Sequence, residues 1–225
     1  MAIKLDKGAR INLVKDDGHK LTEFCVGCNW GQIVKPSLWG LSKKAVDVDI
    51  DLSCVMFDAS GNVCDHIYSP LYRPELLLRF GLPSGKLTSS CGALRHTGDD
   101  LSGDDGGADD GLDNEIITVN LNRISPSIHQ IFFFLNICSP KEIDFSQIPY
   151  ASIRMFEGTP EHVREVFASY NVAAEPRYAN CRALILGKLY RHGDDWKFNA
   201  IGDPTDDSFV GTTIIRIMQS VKNNR

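Results

Sequence analysis

The chain has 225 residues, 43% hydrophobic and 24% charged, with 24 basic and 29 acidic side chains and a formal net charge of −5. That composition excludes a disordered chain, a collagen and a disulfide-stapled miniprotein. The charge is uneven: eight of the 17 positions from Asp99 to Glu115 are acidic and none is basic, so without those eight the −5 becomes +3.

Short apolar segments, alternating or continuous and broken by Gly, Asn, Asp and Pro, predict strands near 2–6, 10–15, 21–30, 46–57, 62–68, 115–121, 129–138, 151–156, 181–190 and 195–201. Asp16-Asp17-Gly18 marks a turn between the second and third, and Asp58-Ala59-Ser60-Gly61-Asn62 another after 57. Pro74 to Phe80 reads as a short helix. In Ile131-Phe132-Phe133-Phe134-Leu135 bulky apolar groups fall on both faces, which marks an interior strand. Residues 160–170 fit a helix and a strand equally. Residues 208–222 form the clearest helix, with Val210, Ile214, Ile217, Met218 and Val221 on one face. The expected architecture is an all-β antiparallel sandwich with a few peripheral helices, one domain over 1–225 with its core in 1–202 and a C-terminal helix.

No apolar run approaches the ~20 residues of a membrane span. The segment Met1 to Lys7 has no apolar stretch of the signal-peptide kind. Seven cysteines, several inside apolar runs, fit reduced thiols and a cytoplasmic protein. With no basic run, and its one dense charge field negative, the chain is not expected to bind nucleic acid.

The first carboxylate group is Val46-Asp47-Val48-Asp49-Ile50-Asp51-Leu52. Read as one strand, it sends the apolar residues inward and Asp47, Asp49 and Asp51 outward. Neighbouring aspartates would then lie ~6.6 Å apart and the outer two ~13 Å apart. Oxygens on opposite sides of one Ca²⁺ are about 5 Å apart. Adjacent aspartates can therefore share an ion, with Asp49 best placed of the three.

The second group is the 99–115 loop, with Asp99, Asp100, Asp104, Asp105, Asp109, Asp110, Asp113 and Glu115 between glycines that allow tight folding. Many oxygen donors on an irregular loop suit Ca²⁺, whereas Mg²⁺ wants a stricter octahedron. The loop has no Cys, and only His96 lies nearby, which argues against zinc or copper. It is not an EF-hand: counted from Asp104, the third, fifth and sixth positions are Gly106, Ala108 and Asp109. Two Ca²⁺ ions are expected across the two groups, with no catalytic residues and no organic cofactor.

The chain resembles the TerD-type tellurium-resistance and stress-protein family. The resemblance rests on Leu5-Asp6-Lys7-Gly8 with Ile11-Asn12-Leu13, Val26-Gly27-Cys28-Asn29-Trp30, Val48-Asp49-Ile50-Asp51-Leu52-Ser53 and His96-Thr97-Gly98-Asp99. It continues through Asp113-Asn114-Glu115 into Val119-Asn120-Leu121, then Gly187-Lys188-Leu189-Tyr190-Arg191-His192 and Trp196-Lys197-Phe198. It implies a β-sandwich that binds Ca²⁺ through acidic loops, acts in stress resistance with other proteins of that system, and carries no secure catalytic activity. Two readings of other classes stay open: a metal-dependent phosphoester hydrolase using the same carboxylates, and a cyclic-nucleotide binder. Against the family pattern the acidic loop is long, and so are 33–46, with Trp39, and 69–87, with Leu76-Leu77-Leu78, which reads as a lid or partner surface.

Cys25-Val26-Gly27-Cys28 is a CxxC set in a strand, away from the helix start that lowers a thiol pKa. His96 is expected to hold the acidic loop by hydrogen bonds and His192 to sit in a hairpin turn. Trp30, Trp39 and Trp196 are expected in or around the core.

Overall fold

The computed structural model describes residues 3–4, 8–13, 18, 20–36, 43–172 and 175–223. The Asp16-Asp17 turn, Trp39 and most of Leu5-Asp6-Lys7-Gly8 lie outside them. The strands are β1 (Ile3–Lys4), β2 (Arg10–Asn12), β3 (Glu23–Trp30), β4 (Ile33–Pro36), β5 (Lys43–Val46), β6 (Ile50–Phe57), β7 (Val63–Ile67), β8 (Leu94–His96), β9 (Glu115–Asn120), β10 (Gln130–Ile137), β11 (Ala151–Thr159), β12 (His162–Asn171), β13 (Ala183–His192) and β14 (Asp195–Thr205). The helices are α1 (Pro74–Leu78) and α2 (Val210–Asn223).

Two sheets of six strands carry the fold, ordered β1-β12-β11-β3-β9-β8 and β2-β14-β13-β10-β6-β7, with β4-β5 as a separate hairpin. Pairing is antiparallel except between β1 and β12. The expected sandwich is therefore the observed one. One buried cluster joins Val26, Cys28 and Trp30 of β3 to Leu52, Cys54 and Met56 of β6 and to Phe133 and Leu135 of β10. Period-2 alternation explains the apolar run of β10: its odd positions face the other sheet, while Phe132 and Phe134 face outward. α2 covers that outer face with Val210, Ile214, Ile217 and Val221, and Met218 packs half-buried beside them.

Three sequence readings change. Residues 46–57 are not one strand: β5 ends at Val46, β6 starts at Ile50, and 47–49 lie between them. The ambiguous 160–170 is β12. Its register against β11 shifts twice, so Val163 and Val166 share one face at a spacing of three, which resembles a helical repeat. β8, three residues long, has no alternation to announce it.

Other expectations hold. Asp58 Oδ1 accepts the Asn62 N–H at 2.8 Å across a turn with Gly61 at φ 64°. His192 is the last residue of β13 before a two-residue turn. Trp30 and Trp196 are buried. All seven cysteines are free; Cys25 and Cys28 join different apolar clusters, and burial pushes both thiols up. That environment is the opposite of the exposed, electropositive setting that activates a thiol.

Candidate metal centre

The acidic loop folds because its backbone is tied to β3 and to the 47–49 segment. The Asp104 N–H donates to Trp30 O at 2.9 Å and the Val48 N–H to Ser102 O at 3.1 Å. The Trp30 indole N–H donates to Val48 O at 2.7 Å, and Asn114 Oδ1 accepts the Trp30 N–H at 2.8 Å. Gly103 has φ 77°, and a Cβ there would stand 2.5 Å from the Trp30 ring. Gly27 serves the loop's far end: a Cβ on it would lie 2.2 Å from Asp113 Oδ2. Val48 spends both backbone groups on the loop and on Trp30. Asp47 and Asp49 therefore lie off the sheet while Asp51 stays in β6, and the uniform outward face expected of the row does not form.

An inner carboxylate group results. One ligand oxygen each from Asp51, Asp99 and Glu115 lies within 4.8 Å of the others, as do Asp49, Asp51 and the Cys138 sulfur. Glu115 is fully buried and Asp51 is 3% exposed. Glu115 accepts the Leu52 N–H at 2.6 Å and the Asp100 N–H at 3.1 Å. His96 Nδ1 accepts the Gly98 N–H at 3.0 Å, which leaves Nε2–H to meet Glu115 at 3.2 Å. His96 thus holds the loop as expected. Asp51 accepts from Tyr72 OH at 2.6 Å and from the Cys138 thiol, and Asp99 from Ser69 Oγ at 3.1 Å. The long 69–87 segment covers this group through Ser69 and Tyr72.

Burial pushes the carboxyl of Asp49 up to about 6, helped by Asp99, Glu115 and Asp100. Burial and then Glu115 push Asp51 well above the carboxylate range; burial also raises Glu115, against the pull of His96. Asp49 Oδ1 is buried and has no hydrogen-bond partner.

An outer group forms from Asp104, Asp109 and Asp110, whose ligand oxygens again lie within 4.8 Å of one another. Asp104 is buried and Asp109 and Asp110 are exposed. Asp104 accepts from Tyr150 OH, and from Asn114 Nδ2 at 3.0 Å; Asp109 accepts from Asn29 Nδ2 at 2.9 Å. Asn114 links the two regions, since the same Nδ2 is 3.2 Å from Asp100 Oδ2.

The remaining candidates stand apart from both groups. Asp47 accepts from Gln32 Nε2 at 2.7 Å, and Asp105 starts a short 3-10 turn. Asp100 folds the loop: burial would raise its carboxyl, but the Ser102 and Gly103 N–H groups hold it below the usual range. Asp113 pairs with Arg154 at 2.9 Å, yet burial outweighs the arginine and leaves its carboxyl raised.

Tyr72, Cys138, Tyr150, Asn29 and Asn114 join the two groups without a signal of their own in the sequence pattern. Asn29 and Asn114 sit inside the 26–30 and 113–115 motifs; nothing local marks the two tyrosines or Cys138. The oxygen-rich donor sets, their spacing and the unmet Asp49 oxygen fit a hard divalent cation.

The chain is a two-sheet sandwich with an acidic, glycine-rich loop folded over buried carboxylates, a class of scaffold whose carboxylate groups could hold a metal ion. A family model described as the TerD domain matches residues 1–212. The chain is 32% identical over 223 residues to stress response protein SCP2 of Bacillus subtilis (strain 168), covering 96% of this chain and 99% of that protein. It is 27% identical over 201 residues to tellurium resistance protein TerZ of Serratia marcescens, covering 89% of each. A crystal structure of a telluride resistance protein (TerD) homologue from Streptomyces coelicolor A3(2) superposes with a TM-score of 0.54 at 16% identity, over 83% of this chain and 91% of that one. The chain belongs to the TerD domain family. The relatives carry names of resistance and stress proteins. Among the described residues no helix is long and apolar enough to cross a membrane.

Proposed function

We propose that this chain is a non-enzymatic, calcium-binding stress-response protein of the tellurium-resistance type, acting in the cytoplasm as one folded unit. Asp49, Asp51, Asp99 and Glu115 would hold one ion, and Asp104, Asp109 and Asp110 a second. The observation that carries this reading is the convergence of Asp51, Asp99 and Glu115 from a strand and both ends of one loop, beside an Asp49 oxygen with no partner. Four buried or half-buried carboxylates without a cation repel one another, and bound Ca²⁺ supplies the compensating charge.

The protein's own residues do the rest. His96, Tyr72 and Ser69 orient the inner oxygens; Trp30, Gln32 and Asn114 hold the loop backbone. Ordering the 99–115 loop would leave Leu101 and Leu112, each 54% exposed, on a defined surface for another protein of the stress-response system. The test is thermal melting in chelator and in millimolar Ca²⁺. The wild type should melt higher with Ca²⁺, and Asp49→Asn with Asp109→Asn should lose that rise while keeping its apo melting point. An equal rise in the double variant would refute the assignment.

A further inference from the structure

The outer face of the second sheet carries a groove of about 480 Å³ walled by β10, β13, β14 and the last turns of α2, with no residue of the acidic loop in its lining. This size lies within the range of small-molecule sites. The registers set Arg10 of β2, Asn199 of β14, Lys188 of β13 and Phe132 of β10 in one row, and the last three of these line the groove.

Lys188 is the unusual group. Its ammonium is half-buried, hydrogen-bonded to Gln130 Oε1 at 2.8 Å, and poised 5.2 Å from the Phe132 ring centre and 5.9 Å from that of Tyr190. Among the described residues no carboxylate lies within ion-pair distance of it. Its charged neighbour is Arg10, of like sign, and burial lowers the pKa of Lys188. Beside it the buried Oδ1 of Asn199 is an acceptor without a partner, open to a donor on a ligand's body and not to an anionic head. Arg216, at the rim, is already paired with Asp207 at 2.7 Å and with Asp206. Asp203 also lines the groove, so its negative end lies away from Lys188 along β14. The rest of the lining, Ile185, Ile201 and Val221, is apolar.

A half-buried ammonium beside a second cation is costly until an anion arrives. We propose that this groove is a binding site for a small organic anion, a phosphate or carboxylate head on an apolar body. Its head meets Lys188 and Gln130, and its body lies along Ile185, Ile201 and Val221. The site is independent of the acidic loop.

The test is an NMR titration of the ¹⁵N-labelled full chain with phenyl phosphate, octanoate and inorganic phosphate, in Ca²⁺ and in chelator. Saturable shifts at 130, 188, 199 and 201 with either organic probe, unchanged by chelator, support the site. Lys188→Met should weaken that binding at least about tenfold and Lys188→Arg less than about threefold, as expected for a charge-assisted contact. Ser220→Trp, which fills the groove from α2 and leaves Lys188 intact, should abolish it. Shifts confined elsewhere, inorganic phosphate binding as tightly as both organic probes, or wild-type affinity in Lys188→Met would each overturn the proposal.

Discussion

The two carboxylate groups use the same residue type in opposite environments. Asp51 and Glu115 are buried under Tyr72, Cys138 and His96, and Glu115 ties the N–H groups of Leu52 and Asp100 across the fold, whereas Asp109 and Asp110 stand exposed and accept backbone N–H groups only from two residues on in their own bend. Buried carboxylates couple ion binding to folding, because their charge has no water to fall back on. Exposed ones can lose a partner at little cost.

The sharpest way to break this contrast is to remove one carboxylate from each side. Glu115→Ala would leave the N–H groups of Leu52 and Asp100 and the His96 ring unpartnered. Such buried losses cost about 1–3 kcal/mol each, so denaturant unfolding should show a loss of roughly 3 kcal/mol or more. Asp109→Ala should cost less, about 1 kcal/mol, because it releases only the Asn29 amide and the local Gly111 N–H. Equal losses in the two variants would remove the distinction between the groups.

Next in size is Gly27→Ala. The new methyl meets Asp113 Oδ2 and forces that carboxylate off its Arg154 partner, for a cost of about 1–3 kcal/mol, the usual range for overpacking. Calcium affinity should fall with it, because Asp113 closes the loop that both groups share. Unchanged affinity and stability in this variant would mean that the loop closes without β3.

The smallest effect is that of pH on the ion-free protein. The carboxyl of Asp49 sits at about 6 in the folded chain, above the ordinary value near 4 of the unfolded one. The stability it contributes as a protonated group is therefore complete below about 4 and lost as pH rises through about 6. In chelator the melting temperature should decline over that window. In Ca²⁺ the trend should reverse, since ligands must be deprotonated to bind. Parallel profiles in the two media would separate Asp49 from the ion.

Much of this was legible in the sequence, and the reason is local chemistry. Asp and Gly at high density mark 99–115 as an irregular acidic loop, the apolar runs of β3 and β10 mark strands, and α2 declares itself by its helical period. The failures are long-range. Asp47, Asp49 and Asp51 alternate like a strand, but the Trp30 indole and Ser102 O take the backbone of Val48, and Asp51 ends up buried beside Asp99. Tyr72 and Cys138 reach Asp51 from 21 and 87 positions away, a juxtaposition that only the closed sandwich creates. Lys188 was visible as a residue of a motif, but its lack of a described carboxylate partner is a property of the face it shares with Arg10.

Whether the inner and outer carboxylates bind calcium is decided by calorimetric titration of the chelator-stripped protein with Ca²⁺. Saturable heat is expected below millimolar Ca²⁺ with two ions per chain, falling to one in Asp109→Asn. No heat at millimolar Ca²⁺ would contradict calcium binding by either group.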